Sequence, residues 1–170
     1  MKSVLFIAAI LTTSVLFAQQ DKSTRPSPPA FVKETLKGGQ TISIDYSQPA
    51  VKGRTIGTDL EPMPGKVWRT GANEATVFEA DKDVKVEGKS LPAGKYGLFS
   101  IMDGDDWTII FNKTWNQWGA FTYKEADDYI RVKVKGSKAP QFSERMTFTI
   151  GKDGKVSLLW GDKEVDFKVE

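Results

Sequence analysis

Two short stretches of this 170-residue chain carry side chains suited to holding a ligand. Arg54, Arg69, Asn73 and Glu74 are polar groups set between apolar segments and close to glycines. A guanidinium offers a planar fork of donors, and an amide and a carboxylate complement it. Such a set suits a carboxylate or the hydroxyls of a sugar. Further on, Trp115 and Trp118 flank Asn116 and Gln117. Flat indole faces beside amide groups suit a sugar or an aromatic ligand. Each set also has a structural reading: the arginines tie a long loop to a sheet through a nearby carboxylate, and the two indoles close one end of the fold as apolar plugs.

The composition excludes much other chemistry. The chain has no His and no Cys. The usual Zn, Cu and non-haem Fe sites need those ligands, so no metal and no cofactor is expected. Ser-His-Asp and Cys-His nucleophile arrangements are equally excluded, as are disulfides. No S-x-x-K, G-x-S-x-G, phosphate-loop or dinucleotide fingerprint occurs. The acidic run Asp103 to Asp106 lacks the spaced oxygen ligands of a calcium loop and reads as a hairpin turn. Asp127 and Asp128 are adjacent, so on a strand they face opposite ways and make no acid/base pair.

These residues must be positioned by strands. Ile42, Ile44 and Tyr46 alternate with polar neighbours, as do Ile130, Val132 and Val134, then Met146, Phe148 and Ile150, then Val165, Phe167 and Val169. A period of two with one apolar face marks strands packed on a core from one side. Tyr96 to Met102 and Trp107 to Phe111 are apolar on both faces and flank the Asp103–Asp106 turn. Turn signals at Lys152–Lys155 and Gly161–Asp162 predict a three-stranded meander at the end of the chain. Trp68, Trp107 and Trp160 sit in strand-like contexts and read as core. The basic row Arg131, Lys133 and Lys135 reads as a solvated strand face. No segment carries a sustained apolar period of 3.6. The expected fold is therefore all-β, an antiparallel sandwich (jelly-roll-like) or flattened barrel of about nine or ten strands. Gln48–Gly65 and Asn112–Glu125 interrupt the alternation as long excursions, and long loops concentrate function.

Several segments together resemble a known family. They are Tyr46-Ser47-Gln48-Pro49 with Lys52-Gly53-Arg54, the run from Val67 to Thr76, the run from Leu91 to Phe99, and Asn112-Lys113 with Trp115 to Gly119. The pattern is similar to the family catalogued as domain of unknown function 2911, found largely in exported proteins of Bacteroidota. The likeness covers nearly the whole domain and is most specific around Trp68. It implies an exported β-rich domain and brings no activity, substrate or catalytic residue.

The first residues agree with export. Lys2, the apolar run Val4 to Phe17 and Ala18 have the order of a secretory signal peptide, and the run is too short to span a membrane. The division expected is a signal peptide over 1–18, a polar tether rich in Pro and Ser over 19–29, and one β domain over 30–170. The protein is then periplasmic or extracellular, with no membrane anchor. Without Lys2 the balance is 23 basic to 22 acidic side chains, which offers no field for nucleic acid. The function expected is a binding or interaction module for a glycan or small polar metabolite, using Arg54, Arg69, Asn73, Glu74, Trp115, Asn116 and Trp118. The alternatives are a carboxylate-dependent carbohydrate hydrolase or lyase, and a structural envelope protein.

Overall fold

The structure, a computed structural model, describes residues 21–170. The signal peptide assigned to 1–18 and the first two residues of the tether lie outside the described residues. Ten strands follow: β1 (Pro29–Thr35), β2 (Thr41–Ser47), β3 (Val67–Trp68), β4 (Thr76–Ala80), β5 (Val84–Val86), β6 (Lys89–Leu91), β7 (Gly94–Asp103), β8 (Asp106–Asn112), β9 (Asp128–Ile150) and β10 (Lys155–Lys168). The only helical turns among the described residues are short 3-10 segments at Lys22–Thr24 and Glu125–Asp127.

The strands run antiparallel in the order β1-β2-β4-β7-β8-β9-β10, and β3 pairs with β7. The all-β expectation is met, and the count falls within the nine or ten anticipated. The sheet curls because β9 is long enough to serve two neighbours. Asp128–Lys135 pairs with β8, while Gly136–Ile150 pairs with β10. The segment after β2 then lies beside the second half of β9: Val51 N–H donates to Glu144 O and Met146 N–H donates to Pro49 O. Inside, the Tyr46 hydroxyl accepts from Phe148 N–H at 3.0 Å. These bonds bring the two ends of the sheet together around one core.

That core follows from the period-two pattern. Ile42, Ile44, Phe78, Phe111, Val156 and Val169 are fully buried, as are Trp68, Trp107 and Trp160. At roughly 2–3 kcal/mol per large side chain removed from water, burial of this kind supplies most of the stability. No disulfide is needed.

The turn signals divide into those the fold uses and one it reinterprets. Asp103 pairs with Asp106 across Gly104-Asp105, with Gly104 at φ +61° as the first central residue of a tight hairpin requires. Lys152–Lys155 also turns, with Gly154 at φ +87°. Gly161-Asp162 does not. It is a bulge within β10, where the register against β9 shifts on either side of Gly161. The expected final meander is therefore two long strands. A glycine at positive φ serves a bulge as well as a turn, and local sequence cannot tell the two apart.

Candidate functional site

The site is built from the Gln48–Gly65 excursion, the Trp68–Glu74 segment and the residues before β1. Trp68 ends β3, and the chain then turns sharply. Thr70 (φ +50°) and Asn73 (φ +57°) both adopt the left-handed region. For β-branched Thr70 this conformation costs on the order of 1–3 kcal/mol and persists only where the surroundings impose it. Here they do. The buried Thr70 hydroxyl donates to Ser100 Oγ at 2.9 Å, and the Thr76 hydroxyl donates to Thr70 O at 2.8 Å. Trp68 Nε1 closes the turn onto Gly71 O at 3.0 Å.

Arg69 lines a cavity of about 260 Å³ together with Arg54, Asp59, Glu61 and the indoles of Trp68 and Trp160. Its Nε is buried without a hydrogen-bond partner, and it forms no ion pair with any described residue. Burial lowers the Arg69 pKa, and the Glu61 charge opposes that shift. Arg54 is differently occupied. Its Nε donates to Val51 O at 3.1 Å and its Nη2 to Ala50 O at 2.6 Å, so it clamps its own loop. Opposite, Trp160 Nε1 donates to Glu61 O at 2.8 Å and fixes the loop that carries Asp59 and Glu61.

Asn73 and Glu74 face the other way and hold the N-terminal segment. Asn73 Nδ2 donates to Ser27 O at 3.0 Å. Arg25 Nη1 reaches both Glu74 oxygens, at 2.9 and 3.1 Å, and Lys22 Nζ lies 3.0 Å from Glu74 Oε1. The stretch read as a tether thus docks on the domain between Lys22 and Pro28, and Ser27 forms part of the cavity wall. Burial pushes the Glu74 carboxyl up, but hydrogen bonds from its own backbone N–H, Lys22 and Arg25 outweigh this, leaving its pKa below the ordinary value of 4.5. Glu74 and Asp45 share a second, smaller cavity of about 180 Å³. Both Glu74 oxygens are committed to cations, so this pair of carboxylates is not arranged as an acid and a base.

The Asn112–Glu125 excursion crosses the outer face of the sheet and joins the same neighbourhood. Ala75 N–H donates to Gln117 O and Gly119 N–H to Asn73 O, so Trp118 lies opposite Glu74. Arg25 sits over the Trp118 ring at 5.9 Å, and Lys95 over the Trp115 ring at 5.3 Å. Neither indole is a buried plug: Trp115 is 38% exposed and Trp118 56%. Asn116 is exposed between them. The loop is anchored from below by Asp128, whose side chain is 7% exposed. Asp128 accepts from Tyr123 Oη at 2.7 Å, Arg131 Nε at 2.6 Å and Asn112 Nδ2 at 2.7 Å. Arg131, read as part of a solvated row, is therefore a member of this network.

The structure brings Arg54 and Arg69 into one cavity, while Asn73, Glu74 and Trp118 meet outside it, where Glu74 lines the second cavity and Trp118 lies opposite it. Trp115 and Trp118 do not line the first cavity. The aromatic floor is Trp68 and Trp160, which are also core. Sequence reasoning missed Asp59, Glu61, Lys22 and Arg25. The signal for the first two was their place in the Gln48–Gly65 excursion.

The fold and cavity define a small curled-sheet β protein in which one buried arginine Nε is unpartnered in a cavity that two tryptophans also line. The chain belongs to the family described as protein of unknown function (DUF2911), which matches residues 27–169. No curated protein and no solved structure matches it.

Proposed function

We propose that this protein is an exported binding module for a small polar metabolite carrying an acidic group, held in the cavity between the Gln48–Gly65 excursion and the Trp68–Ala72 turn. The buried, unpartnered Nε of Arg69 carries the reading. A desolvated donor without an acceptor costs about 1–3 kcal/mol, and a bound carboxylate supplies the acceptor with the planar geometry a guanidinium favours. The strained Thr70 backbone supports it, because such strain clusters at ligand sites. The leader read in residues 1–18 supports a place of work in the periplasm or outside the cell.

The test is a thermal-shift panel of small carboxylic acids, sugar acids and neutral sugars, run on wild type and Arg69→Lys. Acids should raise the melting temperature of wild type and lose that effect in the variant. Equal shifts in both proteins would remove Arg69 from the site, and no shift from any acid would sink the reading.

A second reading, glycan binding on the outer rim, is favoured by the exposure of Trp118 and of Phe121, which is 83% exposed beside it. A neutral glycan bound by wild type and lost in Trp118→Ala would support it.

A further inference from the structure

Building on the acid-binding cavity, we propose that its ligand is a zwitterion: a free α-amino acid with an apolar side chain of about leucine or methionine size. The cavity wall carries Arg54 and Arg69 on one side of the charge balance and Asp59 and Glu61 on the other. A simple anion would gain the guanidinium but face two carboxylates, and like charges brought together in a partly desolvated cleft repel. A neutral sugar would leave the buried guanidinium without a counter-charge. A molecule with a carboxylate at one end and an ammonium at the other satisfies both.

The two carboxylates have capacity to spare. Asp59 Oδ1 accepts from Thr55 N–H at 2.5 Å, and Glu61 Oε2 accepts from Met63 N–H at 2.7 Å. A carboxylate has about four acceptor sites, so each can still take an ammonium N–H. These backbone bonds also hold the two side chains in place. Glu61 acts on the Arg69 charge without forming an ion pair with it. Both side chains line the cavity, and no ion pair joins them.

The remaining surface is apolar. Trp68 and Trp160 have their indole N–H groups committed to Gly71 O and Glu61 O, so they present only ring surface to the cavity. Leu60 and Met63 complete that side. A volume of about 260 Å³ has room for a free amino acid of this size.

The experiment is isothermal titration calorimetry of the full chain with leucine, methionine and phenylalanine. It includes 4-methylpentanoate, which lacks the ammonium, N-acetyl-leucine, which masks it, and leucine amide, which lacks the carboxylate. At least one free amino acid should bind tenfold or more tightly than its single-ended counterparts. Glu61→Gln should shrink the advantage of leucine over 4-methylpentanoate at least several-fold, weakening leucine while the acid, relieved of one like charge, binds as well or better. If 4-methylpentanoate or N-acetyl-leucine binds as tightly as leucine, the ammonium has no partner. The zwitterion is then refuted and the acid-binding cavity stands. If every amino acid and acid is silent on protein that is folded by circular dichroism, both fall.

Discussion

Replacing Arg69 with methionine should stabilise the unliganded protein, which is unusual for a residue this enclosed. Methionine has nearly the reach of the arginine stem and a flexible chain that can settle against Trp68 and Trp160. The substitution removes a buried Nε that bonds to nothing. An unsatisfied donor costs about 1–3 kcal/mol, and exchanging buried charge for packed apolar atoms has gained about 1–4 kcal/mol elsewhere. Some guanidinium surface remains in contact with water, so the expected gain lies near the bottom of these ranges, about 1–2 kcal/mol. For a domain of this size that is a rise of about 2–8 °C in melting temperature. The assay is urea unfolding followed by indole fluorescence, which Trp68 and Trp160 report from the cavity itself. Had Arg69 been paired with a buried carboxylate, its loss would cost about 3–5 kcal/mol instead. A destabilisation of that size in Arg69→Met would refute the claim that the guanidinium stands unpaired. Arg54→Met provides the contrast. That side chain donates to Ala50 O and Val51 O, so the same substitution should cost about 1–2 kcal/mol.

Three further outcomes follow from the same geometry. Asp128→Ala should destabilise by about 3 kcal/mol, because it orphans groups on Tyr123, Arg131 and buried Asn112, whereas Tyr123→Phe should cost only about 1 kcal/mol. Urea midpoints for both variants check this, and equal effects would mean that Asp128 is not the hub. Glu74 has a depressed folded-state pKa, so its contribution is present above the unfolded value and is lost as pH falls through the folded one. The Lys22–Pro28 segment should accordingly become open to proteolysis once the pH falls below the ordinary glutamate range, and Glu74→Gln should show that susceptibility already at neutral pH. Trp118→Ala, at a side chain that is largely exposed, should shift stability by less than about 1 kcal/mol, measured by thermal unfolding. A larger loss would make the indole structural.

The strands were legible because alternation is local. Ile42, Ile44 and Tyr46, or Val165, Phe167 and Val169, state their buried face within five residues, and a strand needs no more than that to declare itself. The tight turn at Gly104 was legible for the same reason. Gly161 was not, since a glycine at positive φ fits a bulge and a turn equally. Only its place against β9 decides between them. The absence of His and Cys excluded whole classes of catalytic centre before any fold was known.

The candidate site shows where local reading stops. Arg54 and Arg69 were visible as arginines out of place between apolar segments, but their different roles were not. Arg54 is occupied by carbonyls three and four residues back, while the buried Nε of Arg69 has no partner among the described residues, although Glu61 and Trp160 reach the same cavity from distant parts of the chain. Glu74 and Arg25 meet across 49 residues, and no pattern in either segment announces the other. By itself the sequence determined the strand periodicity, the buried aromatics and the chemistry that could not occur. Which polar groups are paired and which are left without a partner was decided only when the curled sheet brought remote loops together, because satisfaction of a hydrogen bond is a property of neighbours in space.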